Sequence, residues 1–338
     1  MEQYLEFGNL LYDDGNLAEE GYAFSLVKKY NRSQIKASKR RIKEFEGFHF
    51  VNDNFALNFD ILDFTHTSFL NVYFVDFSNK EIIAKTCKRV LKHKRLPTSP
   101  LSDISIKTKN VTFEVSSSGD KKHIKVNLAK FKGEEDFRCD IYINENYDSS
   151  LANAKSFEGL DKHFVYLYKK NLFSVNGYFK IGEKTFDFDK DSYMTYSWLK
   201  GVLPASDEYL WANMSTKNKK RLIGFNFGYG LGSEKYSSEN ILYIDDQKYK
   251  FENIHIDVPI SKKGTDEYMD TWKIRSEDGM VDISFTPFVH ASIKHIGLRM
   301  LIDKNRVYGK YKGSIIVNNE RIVFDDVIGL IEKNNCLW

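Results

Sequence analysis

Proline and cysteine are both scarce in this chain of 338 residues. The five prolines, Pro97, Pro100, Pro204, Pro259 and Pro287, leave long stretches with nothing to interrupt a strand ladder. The three cysteines, Cys87, Cys139 and Cys336, are far apart and odd in number. No C-x-x-C spacing occurs, which excludes a zinc ribbon and a thioredoxin-type motif, and free thiols in a reducing compartment are expected. No run of eighteen apolar residues exists, and the amino-terminal M-E-Q-Y-L-E-F-G has no basic segment leading into an apolar one. Neither a membrane span nor a signal peptide is expected, and the chain reads as soluble and cytoplasmic. Charge of one sign is also missing: 50 basic residues against 47 acidic leave a net charge of +3. That balance offers no footprint for nucleic acid. Lysine and arginine do gather in Lys36–Lys43 and Lys85–Arg95, which read as solvated faces.

The familiar chemical motifs are absent as well. There is no G-x-x-x-x-G-K-[ST] and no G-x-S-x-G. The string Gly228-Tyr229-Gly230-Leu231-Gly232 lacks the strand-then-helix setting of a dinucleotide fold. His49, His66, His93, His123, His255, His290 and His295 show no spacing such as H-E-x-x-H. Neither a metal nor a cofactor is expected.

What is abundant is aromatic. Phe (26) and Tyr (20) dominate a 15% aromatic content, which suits pleated, half-buried surfaces. Period-two alternation recurs at Phe55–Ile61, Val111–Val115, Ile124–Leu128, Ile223–Tyr229 and Val281–Phe285. In the first of these, Asn58 and Asp60 fall on the face expected to be wetter. Turn signals punctuate the pattern at Ser118-Gly119-Asp120, Ile181-Gly182-Glu183, Asp245-Asp246, Asp278-Gly279 and Asn318-Asn319. Short helices are expected only within Leu17–Tyr30 and Lys36–Phe45. The fold class is all-β, a sandwich or barrel of antiparallel strands. The length points to two domains, residues 1–190 and 191–338, crossing at the polar Asp187–Ser192.

Special residues are densest between Tyr196 and Asn240. Trp198 and Trp211 offer wide apolar faces with one N–H each. Lys200 can pair with a carboxylate or bind an anionic head. Asn226 shares a strand face with Gly228, opposite Phe225, Phe227 and Tyr229, so it looks into a barrel if the aromatic face is the wall between layers. Glu239, held with Asn240 at an apolar barrel mouth, would have a raised pKa and act as an acid. His163, ahead of Lys169 and Asn171, is a second candidate proton carrier. Each has a structural alternative: packed Trp rings, a surface Lys, a glycine bulge, a solvated Glu, a satisfied His.

The ordered motifs W-L-K-G-V-L-P (Trp198–Pro204), G-F-N-F-G-Y-G-L-G (Gly224–Gly232), S-E-N (Ser238–Asn240), T-W-K-I-R-S-E-D-G-M-V-D-I-S-F-T-P (Thr271–Pro287), Y-G-K-Y-K-G (Tyr308–Gly313) and the closing Trp338 resemble the bacterial domain-of-unknown-function family 2804. Tyr30–Phe45 and Lys162–Asn171 extend the resemblance over nearly the whole chain. Through it the chain is similar to the carotenoid hydratase (hydroxyneurosporene synthase) group, which implies two lipocalin-like β-barrels or half-barrels in tandem. There are departures. A family D-W-x-R-G stands here as Ser197-Trp198-Leu199-Lys200-Gly201, K-E-W as Lys43-Glu44-Phe45, and a glycine-rich segment as Ala212-Asn213-Met214-Ser215. If the lost Asp is the family's proton donor, this copy is weakened or repurposed.

Three functions follow as expectations. The first is binding of a small apolar or amphipathic molecule in a barrel cavity, with Lys200, Asn226 and Glu239 orienting its polar end. The second, implied by the resemblance, is cofactor-independent hydration or isomerisation of an unsaturated lipid-like substrate, with Glu239 or His163 as donor. The third is a structural or interaction protein with filled barrels.

Overall fold

The computed structural model describes residues 2–92, 94–119, 121–218, 220–297 and 300–337. His93, the Asp120 of the first turn signal and the closing Trp338 lie outside the described residues, as does the side chain of His295. Two curled antiparallel half-barrel sheets dominate the molecule, beside a two-stranded parallel pair of Gly8–Asn9 with Lys28–Lys29. In the first, the central path runs Glu81–Lys88, Ser68–Asp76, Phe55–Asp63, Ile42–Val51, Tyr193–Val202, Leu160–Ile181, Glu135–Glu145, Lys121–Lys132, Val111–Ser118 and Ile104–Lys107. In the second it runs Gln247–Lys250, Ile241–Ile244, Arg221–Tyr229, Ser206–Asn218, Glu320–Leu337, Met300–Val317, Val281–Gly297, Trp272–Ser276 and Ile254–Asp257. Asp187–Ser192 joins two strands of the first sheet, and the chain passes to the second between Val202 and Ser206.

Each sheet closes around its own apolar interior. Phe48, Phe50, Phe55, Phe59, Phe113, Phe137 and Phe179 fill the first. Phe225, Phe227, Trp272, Phe285, Tyr311 and Ile331 fill the second. The expected alternations all lie on strands, and Asn318-Asn319 forms the hairpin tip joining Val317 to Glu320. Both asparagines have positive φ, 49° and 64°, as a type I′ turn requires.

Three expectations are corrected. Leu17–Tyr30 holds the short strands Gly21–Ala23 and Lys28–Lys29 rather than a helix. Lys36–Phe45 contains one 3₁₀ turn at Lys39–Arg41 and then enters strand Ile42–Val51, which is paired on both sides. Two hydrogen-bonded neighbours override the helical propensity of a lysine-rich run. The wetter face expected for Phe55–Asp63 does not exist either, because all nine residues are buried. Its outer face is covered by the second sheet, so Asn58 and Asp60 point into a polar seam between the sheets.

Candidate functional site

The seam is built from strand positions one residue out of phase with the two cores. Phe225 and Phe227 pack inside the second sheet, so Asn226 faces the seam and not a barrel lumen. Both polar atoms of its side chain are bonded. Asn226 Oδ1 accepts from Trp211 Nε1 at 3.0 Å and Asn213 Nδ2 at 2.9 Å, and Asn226 Nδ2 donates to Asn171 Oδ1 at 2.5 Å. Asn226 thereby fixes the Trp211 ring. Lys169 Nζ lies 4.4 Å from the centre of that ring, a cation–π distance.

Glu239 is 2% exposed. Its Oε2 accepts from Lys169 Nζ at 2.5 Å, and Lys155 Nζ lies 3.8 Å from Oε1. Burial pushes the Glu239 carboxyl upward, but Lys169 and Lys155 outweigh it and hold the pKa below the usual range. The raised pKa expected from the sequence is overturned: two buried cations, invisible as neighbours in the chain, keep this carboxylate ionised. Asn240 acts beside it as a clamp, accepting from Gly228 N at 2.9 Å and donating to the Glu252 carbonyl at 3.1 Å. A Cβ on Gly228 would sit 2.8 Å from the Leu210 carbonyl oxygen and 3.8 Å from Glu239 Oε2.

Several members of the seam went unread in the sequence. His49 Nδ1 lies 3.1 Å from Asn58 Oδ1, and His49 Nε2 lies 3.2 Å from Ser197 Oγ. Asn58 Nδ2 donates to Tyr308 Oη at 2.8 Å. Its Oδ1 therefore accepts, which places the ring proton on Nδ1 and leaves Nε2 to accept from Ser197. Burial, with Arg306 nearby, pushes the His49 pKa down to about 4. Asp60 of the first sheet meets Arg306 of the second at 3.2 Å, and Arg306 Nε donates to Glu332 at 2.7 Å. Lys304 stands 3.4 Å from both acids. Burial works against the Glu332 carboxylate, but Arg306 and Lys304 prevail and hold its pKa far below the ordinary value.

Two neighbouring chambers lie in the seam. The inner one, of about 20 Å³, is bordered by His49, Lys169, Ser197, Trp211, Glu239 and Glu332. The outer one, of about 70 Å³, is bordered largely by apolar groups such as Leu62, Phe64, Leu203, Ile302 and Cys336. Phe45, Leu199, Tyr209 and Leu231 belong to both walls. The inner volume admits about one water molecule. Gly47 keeps this place open, since a Cβ there would lie 2.6 Å from both His49 Nε2 and Ser197 Oγ.

The sequence-derived candidates divide between two places. Trp211, Asn226, Glu239 and Asn240 gather at the seam. Trp198 borders the inner chamber, but its ring packs inside the first sheet against Tyr30 and Tyr166. Lys200 also faces that interior, beside Glu44 and Glu46. His163 is half-buried near one end of its strand, with Nδ1 2.9 Å from the Asp161 carbonyl, and lines neither chamber. Among the described residues, no three His, Cys, Asp or Glu side chains come together as a metal centre. No helix among them is long and apolar enough to cross a membrane.

Solved structures share this architecture. A protein assigned as AttH from Nitrosomonas europaea aligns with a TM-score of 0.54 at 8% identity, over 92% of this chain and 98% of its own. Kievitone hydratase from Nectria haematococca aligns with a TM-score of 0.54 at 9% identity, over 88% of each chain. At such identities the likeness is one of fold. No curated protein matches in sequence. The pattern of a domain of unknown function, DUF2804, matches residues 2–338, and the chain belongs to that family.

Proposed function

We propose that the seam binds a small amphipathic molecule. The carrying observation is the pair of neighbouring chambers that share Phe45, Leu199, Tyr209 and Leu231, the larger with a mostly apolar wall and the smaller reached by His49, Lys169 and Glu239. The apolar body of the ligand occupies the outer chamber and its polar end reaches Glu239, Lys169 and His49. That end is an uncharged oxygen, because the buried charges already pair among themselves. Asn226 and Asn240 act as positioning residues, through Trp211 and through the segment carrying Glu239. Both chambers fall below the roughly 300–1,000 Å³ of a drug-sized pocket. The fitting ligand is therefore a few carbons long, or the end of a longer molecule whose remainder lies outside. Native mass spectrometry of protein purified from its own host tests this. A reproducible added mass that disappears in Leu231→Trp, which fills the shared wall, is the expected result. No added mass from either protein counts against binding.

The second reading is cofactor-independent hydration or isomerisation of an unsaturated lipid-like substrate. It is favoured by the water-sized inner chamber and by the fold shared with a hydratase. Glu239, held ionised, suits orienting a water rather than donating a proton. Lys169, whose pKa burial lowers against the pull of Glu239, is the better donor. Turnover of polyenes or unsaturated fatty acids should fall at least tenfold in Glu239→Gln and Lys169→Met and persist in His163→Ala. Equal turnover in all three variants would remove these roles.

A further inference from the structure

The interior of the first sheet carries a second polar cluster, centred on Lys200, which lines neither seam chamber, although Trp198 and Glu44 border them. Strands Ile42–Val51 and Tyr193–Val202 pair with Glu44 opposite Lys200 and Glu46 opposite Trp198. Glu44, Glu46, Trp198 and Lys200 are each 2% exposed or less. Tyr30 Oη donates to Glu44 at 2.7 Å, Tyr196 Oη donates to Glu46 at 2.9 Å, and Arg32 meets Glu44 at 2.6 Å. Asp63, also buried, is paired with Arg95 at 3.2 Å.

The cluster is incomplete. Ten buried side-chain polar atoms among the described residues lack a hydrogen-bond partner, and four of them without a close ion pair are here: Glu44 Oε2, Glu46 Oε1, Trp198 Nε1 and Lys200 Nζ; a fifth, Arg32 Nη1, is the atom paired with Glu44 Oε1. Lys200 Nζ is 3.7 Å from Glu44 Oε2 and 3.9 Å from Glu46 Oε1, too far for direct bonds. An oxygen about 2.8 Å from each member of such a pair would satisfy both. The indoles offer a contrast: Trp211 Nε1 donates to Asn226 and Trp272 Nε1 to the Tyr268 carbonyl, whereas Trp198 Nε1 has nothing to donate to. Buried groups of this kind are rarely left bare, and a concentration of them marks an occupant.

We infer that the first half-barrel holds an uncharged, hydroxyl-bearing occupant at Lys200, distinct from anything bound in the seam. Lys200 Nζ and Trp198 Nε1 require an acceptor and two carboxylate oxygens require a donor, which a group able to do both meets. Glu44, Glu46 and Asp63 already stand beside Arg32, Arg95 and Lys200, so an uncharged group fits without adding a buried charge. Tyr196, bonded to Glu46, also borders a small pocket with Lys122, Tyr168 and Lys170. Water and a small alcohol or polyol share the chemistry.

A crystal structure of the full chain, grown without glycerol or glycols and paired with native mass spectrometry, tests the inference. Density within hydrogen-bond reach of Lys200 Nζ, Glu46 Oε1 and Trp198 Nε1 is expected. Separate spherical peaks with no added mass identify water, and continuous density with an added mass identifies the alcohol. The added mass should persist in Leu231→Trp, which separates this site from the seam. Trp198→Phe, a gentle change of shape, should lose the peak nearest the ring and keep the fold. Direct contact between Lys200 and Glu46 with no density at Trp198 Nε1 would overturn the proposal. An unchanged peak pattern in Trp198→Phe would overturn it equally.

Discussion

His49 is neutral in the folded protein well below the pH at which a free imidazole charges. Its pKa falls from the usual 6.5 to about 4 because the ring is buried and Arg306 is near. Between those two values the unfolded chain binds more protons than the folded one, so stability rises with pH. The effect is absent above pH 6.5, grows as pH falls and reaches about 3 kcal/mol near pH 4. Urea titrations across pH 4 to 7 should show this slope, and His49→Gln should remove most of it. Glu239 makes the opposite case. It is the charge partner of buried Lys169, and Glu239→Gln leaves that ammonium unpaired. A loss of about 3 kcal/mol in denaturant unfolding is expected, in the range for breaking a buried pair.

At the scale of elements, two positions test the local geometry. Gly47→Ala places a methyl group against His49 Nε2 and Ser197 Oγ at 2.6 Å. It should cost about 1–3 kcal/mol and displace the His49 ring, visible as a change in its imidazole NMR shifts. Asn319→Val puts a β-branched residue at φ 64° in the hairpin tip and should cost about 1–2 kcal/mol by thermal unfolding. The hairpin tips and the alternating strands were legible in the sequence because they depend on neighbours in the chain. The polarity of Asn226's face was misjudged for a different reason. Period two tells which residues share a face and not which face meets a core, and here the aromatics face the core while the asparagine faces the other sheet. Lys36–Phe45 misled as well, because its strand state comes from partners at Phe55–Asp63 and Tyr193–Val202.

Across the whole molecule, the unusual feature is a layer of buried charge between two aromatic cores. Asp60 comes from one sheet and Arg306, Glu332 and Lys304 from the other, and Asp60 completes the charge balance across the seam. None of these pairs is close in sequence, which is why the charged layer could not be read there while the motifs around Glu239 and Lys200 could. The seam ties the sheets together and shapes the two chambers. The most direct measurement is a calorimetric titration of the purified protein with 1-hexanol, an apolar chain ending in an uncharged hydroxyl. Saturable one-to-one binding that Leu231→Trp abolishes and His163→Ala leaves intact is the predicted result. Equal heats in all three proteins, or none in any, would contradict a ligand site in the seam.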